Sequence, residues 1–95
     1  NIAGPEVEGV LLDHPCVAEC GVVGVPDEDR GHIVKAFIVL RPGFEASPEL
    51  VKTLQDFVKS EIAPYKYPRA IEFVESLPRT LTGKLQRFRL RERDQ

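Results

Sequence analysis

Two runs of β-branched residues, separated by turn-forming residues, constrain the fold of this chain most strongly. The runs are "VAECGVVGV", Val17–Val25, and "IVKAFIVL", Ile33–Leu40, and valine and isoleucine favour extended strands. Between them, "PDEDRGH" supplies the proline, aspartate and glycine residues that turns favour. The pattern therefore predicts two consecutive strands that pair antiparallel.

Helical patterns lie on both sides of this strand pair. "GPEVEGVLLDH", Gly4–His14, begins with a proline and acidic residues and continues with apolar residues at helical spacing, which predicts a short amphipathic helix. A second helix is predicted to begin after Ser47, whose hydroxyl can cap the backbone, and to end near Ile62. Its apolar residues form one stripe. The stripe consists of Leu50, Val51, Leu54, Phe57, Val58 and Ile62.

The last third of the chain predicts one more strand and one more helix. "APYKYPR" ends the second helix because its prolines disfavour helical backbone. "AIEFVES", Ala70–Ser76, alternates like a half-buried strand. The basic stretch from Gly83 predicts a helix that turns Leu85 and Phe88 inward, with Leu90 as a further candidate. Together the elements predict an α+β fold, in which helices pack on a small mixed sheet layer made of the strand pair and a third strand.

The composition limits the class of protein. At 95 residues, with 42% hydrophobic and 29% charged residues, the chain fits one globular domain, residues 1–95,. It lacks a membrane-spanning run and a signal peptide, and Cys16 and Cys20 form no disulfide framework, so we expect a cytoplasmic protein without a membrane partner. The chain has no methionine and reaches a helix within four residues, which indicates a piece of a longer protein.

Three common ligand-binding patterns fail on spacing or charge. The cysteines and histidines lack the paired spacing of structural zinc sites, so no metal site is predicted. A phosphate loop requires glycine where Pro78 stands, and serine or threonine where Leu85 stands,. Nucleic-acid binding is disfavoured because the net charge is −2 and only Phe37 is aromatic in its strand,.

Charge and local sequence single out one lysine. Residues 1–47 carry 3 basic and 8 acidic side chains, whereas residues 48–95 carry 10 basic and 7 acidic ones, so a phosphate-bearing ligand is drawn to the second half. There, "PRTLTGKLQR" places Lys84 directly after Thr80, Thr82 and Gly83, which predict a tight turn. A compact cation held on a turn suits a phosphate or a carboxylate, and a solvated surface lysine is the alternative.

Three stretches together resemble the C-terminal domain of adenylate-forming enzymes, specifically acyl- and aryl-CoA synthetases. The resemblance covers essentially the whole chain, and "YKYPR" and the GK-Q-R ending are most similar to the medium-chain acyl-CoA, benzoate and 2-aminobenzoate CoA ligases. The stretches are "NIAGPEVEGVLLDHPCVAECGVVGVPDEDRGHIVKAFIVL", "APYKYPRAIEFVESLP" and "PRTLTGKLQR".

The resemblance implies a ligase that works in two steps. A carboxylate attacks the α-phosphorus of ATP to give an acyl adenylate and pyrophosphate, and the thiol of coenzyme A then displaces AMP. It also implies a large N-terminal domain that holds the acid and the ATP. The present domain is implied to move on that large domain between the two steps, and Mg²⁺ is implied to bind outside the present domain. We expect an aryl or medium-chain acid on resemblance alone, and we expect this fragment to be inactive by itself.

The resemblance also implies roles for individual residues. Lys84 matches the lysine that closes the site for adenylation and contacts the carboxylate and the ATP phosphate. Arg30, Lys59, Tyr67 and Arg69 match positions that approach the CoA nucleotide, where cations pair with phosphates and an aromatic ring covers the adenine. Ordinary solvated surface is the alternative for these four. The loop at "NIAGPEVE" is implied to form part of the CoA tunnel.

Two other functions stay open from the sequence. The domain can belong to a ligase that feeds a carrier-protein thiol, and the arginines and Lys59 then have no nucleotide role. It can also be a non-catalytic interaction module that kept the fold and lost the chemistry.

Overall fold

The computed structural model describes residues 4–93, and the order of helices and strands is the order predicted from the sequence. The first three residues of "NIAGPEVE" lie outside the described residues. The elements are helix α1 (Gly4–Leu12), strands β1 (Val17–Asp27) and β2 (Gly31–Leu40), helix α2 (Pro48–Glu61), a 3-10 turn (Pro64–Lys66), strand β3 (Ala70–Phe73) and helix α3 (Arg87–Arg93).

The three strands form one mixed sheet in the order β1-β2-β3. Strands β1 and β2 form the predicted antiparallel hairpin, whose register runs from Val17 opposite Leu40 to Asp27 opposite Gly31. Strand β3 pairs parallel to β2, because α2 lies between them in the chain and carries it back to the same end of the sheet. The predicted α+β class with a mixed sheet is therefore confirmed.

Helices cover both faces of the sheet. Because successive side chains of a strand point to opposite faces, Val22 of β1 faces α1 and α2, whereas its neighbour Val23 belongs to the core beneath α3. Each face has its own apolar core. The first contains Val7, Leu11, Cys16, Val17, Cys20, Val22, Ala36, Ile38, Leu54 and Val58, and the second contains Val23, Val25, Phe37, Leu77 and Leu90.

Helix α2 begins and packs as the sequence predicts. The Leu50 amide donates a hydrogen bond to Ser47 Oγ at 3.0 Å, which caps the helix,. Leu54 and Val58, in the middle of the predicted stripe, are fully buried. The helix thus covers the same face of the sheet as α1.

The prediction for the C-terminal helix is partly wrong. Helix α3 begins at Arg87 rather than Gly83, because Gly83 has a φ of +91° and Leu85 makes an antiparallel bridge to Arg79. With this later start, Leu90 is buried and packs over Gly21, whereas Phe88, predicted to face inward, is 51% exposed. The basic stretch therefore divides into a turn, an extended link and a two-turn helix.

Candidate functional site

Lys84 lies at the end of a tight turn with a well-defined backbone. The Gly83 amide donates to the Thr80 carbonyl at 2.9 Å, and the Thr80 amide donates to the Lys84 carbonyl at 2.9 Å. The Thr80 hydroxyl also accepts from the Lys84 amide at 3.0 Å. Gly83 closes the turn in the left-handed region, which a residue with a Cβ adopts only at a cost,. The predicted tight turn is therefore present.

A second residue, which the sequence did not single out, fixes this turn to the sheet. The Arg79 guanidinium donates to the Gly83 carbonyl at 2.9 Å and to the Glu19 carboxylate at 2.8 Å. Glu19 lies near the start of β1, opposite Val39 of β2. Arg79 and Glu19 are 60 residues apart in the chain, so no local spacing in the sequence indicates their contact.

The ammonium of Lys84 faces solvent. The residue is exposed, and its side chain makes no hydrogen bond or ion pair with residues 4–93. The backbone that carries it is held by Thr80, Gly83 and, through Gly83, by Arg79. The site thus presents a cation whose base is fixed and whose charged end is available to an anion from outside the domain.

The chain just after Lys84 is fixed to α1 at the free edge of β1. The Glu8 carboxylate accepts a hydrogen bond from the Val22 amide at 2.8 Å and from Arg87 Nε at 3.0 Å, and a second guanidinium nitrogen of Arg87 also donates to it. Glu8 is only 13% exposed. The contact joins residues 79 positions apart, and it connects the Lys84 segment to the first helix.

Three of the four residues predicted to bind the CoA nucleotide lie together. Lys59 Nζ is 4.2 Å from the centroid of the Tyr67 ring, and the guanidinium carbon of Arg69 is 4.9 Å from it. Arg69 also donates a hydrogen bond to the Tyr67 hydroxyl at 2.8 Å. We call Lys59, Tyr67 and Arg69 the tyrosine cluster. Two cations near one aromatic ring can bind a phosphate and an adjoining flat base.

The backbone beneath the tyrosine cluster is fixed by α2 and β2. The Gln55 side chain donates to the carbonyl of the buried Pro68 at 3.0 Å, and the Arg69 amide donates to the Val34 carbonyl at 3.0 Å. Next to the cluster, a hydrogen bond from Lys66 to Glu6 at 2.8 Å raises the pKa of Lys66. This contact joins the start of α1 to the 3-10 turn.

Arg30, the fourth predicted nucleotide-binding residue, lies apart from the tyrosine cluster. It is an exposed residue in the β1–β2 turn, where the Asp27 carboxylate accepts from its amide at 3.0 Å. No hydrogen bond or ring contact within residues 4–93 joins its side chain to the other three. It precedes Gly31, the first residue of β2, and Gly31 lies three residues, or about 10 Å along the strand, from Val34, the partner of Arg69,.

The Lys84 turn and the tyrosine cluster lie at different places on the sheet. The turn is fixed to Glu19 on edge strand β1, opposite Val39. The cluster lies next to the start of edge strand β3, where the Arg69 amide donates to the Val34 carbonyl just before the strand begins. Val34 and Val39 are five residues apart, or about 16 Å along β2, and the two edges of a three-stranded sheet are about 10 Å apart. A single small group therefore cannot contact both sites at once.

Neither cysteine is a candidate nucleophile. Burial, together with the nearby Glu8 charge, raises the pKa of the Cys20 thiol to about 12, although Arg87 opposes the rise. Burial also raises the pKa of Cys16. Both thiols are protonated at neutral pH and lie within the apolar core,. Across residues 4–93, no three His, Cys, Asp or Glu side chains form a group that could hold a metal ion.

The fold and the site together define a small α+β domain that presents a fixed lysine at one place and a cationic aromatic cluster at another. Residues 6–84 match the family described as the AMP-binding enzyme C-terminal domain. The chain belongs to this family, and the match extends to Lys84.

Similar proteins carry the names of acyl-CoA ligases. The chain is 56% identical over 94 residues to the mitochondrial acyl-coenzyme A synthetase ACSM1 of Mus musculus, covering 96% of this chain and 16% of that protein. It superposes on the crystal structure of a Brucella canis acyl-CoA synthetase with a TM-score of 0.94 and 52% identity, covering 98% of this chain and 17% of that one. A benzoate CoA ligase from Burkholderia xenovorans LB400 gives a TM-score of 0.88 and 49% identity, covering 94% and 18%.

The lengths and names of these relatives bear on the expected longer protein and on the expected cytoplasmic location. The chain spans less than a fifth of the length of each of the three. Within residues 4–93, no helix is both long and apolar enough to cross a membrane. The cytoplasmic location stays a prediction, since the relative from Mus musculus is named as a mitochondrial protein.

Proposed function

We propose that this chain is the mobile C-terminal domain of an AMP-forming acyl-CoA ligase, and that it serves both half-reactions of that enzyme. The observation that carries the proposal is the Lys84 turn, a solvent-facing ammonium on a backbone fixed by Thr80, Gly83 and Arg79. Membership of the AMP-binding enzyme C-terminal domain family supports it. So does the small share of its relatives' length that the chain covers, which leaves room for a large N-terminal domain.

In the first half-reaction, Lys84 acts as an electrostatic catalyst. The substrate carboxylate and the α-phosphate of ATP repel each other, and negative charge increases around phosphorus as the carboxylate oxygen bonds to it and pyrophosphate leaves. A cation between the two groups offsets the repulsion and stabilises that charge. Because the backbone at Lys84 is already fixed, only the freedom of its side chain is lost when the domain closes over the substrates.

In the second half-reaction, the tyrosine cluster binds the nucleotide end of coenzyme A. Arg69 and Lys59 provide charges for its phosphates, and the Tyr67 ring provides a flat surface for the adenine. Lys59 is exposed on a flexible side chain, so it can leave the ring for a phosphate when the adenine stacks. Arg30, in the turn just before β2, serves a more distant phosphate group.

The distance between these two sites favours their use in separate steps. The Lys84 turn is fixed to β1, and the tyrosine cluster lies at the start of β3. A domain that must bring each site to the same reaction centre in turn has to rotate on its partner. ATP and coenzyme A are substrates of the whole enzyme, and Mg²⁺ would bind with the ATP outside this domain.

The acid is selected by the large domain, so the present chain bears on it only through its relatives. We propose an aryl or medium-chain carboxylic acid. A relative named as a benzoate CoA ligase supports the aryl class, and the medium-chain class rests on the sequence resemblance. The test is to express the full-length protein and measure AMP release from ATP with benzoate, aminobenzoate and medium-chain fatty acids, each with and without coenzyme A.

We expect AMP release that requires both an acid from this panel and coenzyme A. Release that requires a carrier-protein thiol instead would transfer the assignment to a carrier-loading ligase. A full-length protein without any acid-dependent AMP or pyrophosphate release would leave only a binding module and would refute the proposed function.

A further inference from the structure

The most exposed large apolar side chain among residues 4–93 lies three residues before Lys84. Leu81, in the Lys84 turn, has a relative exposure of 108%, so it contributes no apolar burial to this domain. Leu81 is the second residue of the turn, a position that favours proline or a polar residue, so the turn gains no stability from a leucine there,. A single exposed leucine is common on protein surfaces, so its position has to carry the argument.

Two features of that position are informative. The backbone bonds between Thr80, Gly83 and Lys84, with the Arg79 brace, make Leu81 and Lys84 parts of one rigid unit. On the other side of Lys84, Phe88 is also exposed, at 51%. In the chain, the lysine therefore lies between two exposed apolar side chains, three residues after Leu81 and four residues before Phe88.

We propose that Leu81 is a positioning residue for adenylation, an apolar anchor that enters the large domain and sets the depth at which Lys84 reaches the substrates. The inference rests on the proposed function. A charged ammonium alone specifies its own position poorly, because it is strongly hydrated and sits on a flexible side chain. A leucine on the same rigid turn gains from burial only when the turn is fully docked, and small errors in the placement of a catalytic group reduce rates strongly.

The partner is the large domain of the same polypeptide, which makes up most of the relatives' length. The anchor matters only in the closed state for adenylation, because the Lys84 turn and the tyrosine cluster lie at different places on the sheet. Leu81 should therefore have no effect on the transfer of a preformed acyl adenylate to coenzyme A.

The experiment compares Leu81→Ala, Leu81→Met and Lys84→Ala in the full-length enzyme. It measures single-turnover pyrophosphate release and, separately, thioester formation from a supplied acyl adenylate and coenzyme A. Phe44→Ala is the matched control, since Phe44 is an exposed apolar residue at 45% in the loop between β2 and α2. We expect Leu81→Ala to slow pyrophosphate release by about ten- to a hundredfold. Leu81→Met should stay close to wild type, and thioester formation should change less than twofold.

Each outcome separates the anchor from the function on which it rests. If Lys84→Ala abolishes pyrophosphate release and Leu81→Ala does not slow it beyond the Phe44→Ala control, the anchor is wrong and the proposed function stands. Equal losses in both half-reactions for Leu81→Ala, or a methionine variant as slow as the alanine variant, also overturn the anchor. Normal pyrophosphate release in Lys84→Ala overturns the proposed function and the anchor with it.

Discussion

Replacing Glu8 with alanine should lower the free energy of unfolding of the isolated domain by about 2–3 kcal/mol. The Glu8 carboxylate is 13% exposed and accepts hydrogen bonds from the Val22 amide and from two nitrogens of Arg87. A hydrogen bond to a charged group contributes about 1.5–3 kcal/mol. The Arg87 side chain is 36% exposed, so solvent screens its share,. The loss of about 2–3 kcal/mol therefore combines the hydrogen bond from the Val22 amide with a screened ion pair between Glu8 and Arg87,.

The assay is urea and thermal unfolding of the wild-type domain and its variants. For a domain of this size, about 1 kcal/mol corresponds to about 4–8 °C in Tm, so Glu8→Ala should lower Tm by about 10–20 °C. Glu8→Gln keeps an acceptor for Val22 and loses the ion pair, so its loss should be about half as large. A double-mutant cycle with Arg87→Ala should give a coupling energy of about 1 kcal/mol.

The exposed pair between Lys52 and Asp56 on α2 is the control. Its side chains are 77% and 52% exposed, and pairs of this kind contribute about 0.3–0.5 kcal/mol. The reasoning fails if Glu8→Ala is no more destabilising than Asp56→Ala, or if the Glu8 and Arg87 variants are fully additive. Either result would mean that water replaces the carboxylate at the β1 edge without loss.

Two further predictions concern the nucleotide site and the buried thiol. In the full-length enzyme, Arg69→Glu should weaken the apparent affinity for coenzyme A by about ten- to a hundredfold, the effect of losing a charge-assisted hydrogen bond. Arg30→Glu should weaken it too, and neither variant should change the rate of pyrophosphate release. The control variant Lys52→Glu should keep the wild-type affinity for coenzyme A. Slower adenylation with normal coenzyme A kinetics would show that these arginines are misplaced. In the isolated domain, the folded-state pKa of Cys20 is raised from 9.0 to about 12, so the unfolded thiol ionises first and the free energy of unfolding should fall as the pH rises from 9.0 towards 12. Cys20→Ala should make the free energy of unfolding fall less steeply over this pH range. If its slope with pH is the same in the variant and the wild type, the folded thiol ionises normally.

The elements of the fold were predictable because each one has a local cause in the sequence. The strand pair follows from its β-branched runs and the turn between them, and α2 follows from Ser47 and its apolar stripe. The boundaries of α3 were not predictable in the same way. They depend on the bridge between Arg79 and Leu85 and on Gly83 in the left-handed region, and apolar spacing alone counted Phe88 as a core residue.

The candidate site likewise has features with a local cause in the sequence and features that depend on long-range contacts. The turn at Lys84 is visible in the sequence because Thr80, Thr82 and Gly83 are neighbours of the lysine. Its fixation is not visible, since Arg79 meets Glu19 across 60 residues and Arg87 meets Glu8 across 79. The family resemblance supplied Arg30, Lys59, Tyr67 and Arg69 as a set. The fold brings the last three together through α2 and the segment before β3 and leaves Arg30 apart from them.

The most direct measurement is single-turnover kinetics of each half-reaction in full-length enzyme carrying Lys84→Ala. If Lys84 acts only on the acid and ATP, acyl adenylate formation should fall by about a hundred- to a thousandfold, the usual effect of removing one preorganised electrostatic group. Transfer from a supplied acyl adenylate to coenzyme A should stay at the wild-type rate. Lys84→Arg should restore little of the loss, because a broad planar guanidinium replaces a compact ammonium poorly in a closed site. Equal losses in both half-reactions, or a wild-type rate of adenylate formation in Lys84→Ala, would contradict the catalytic role of this lysine.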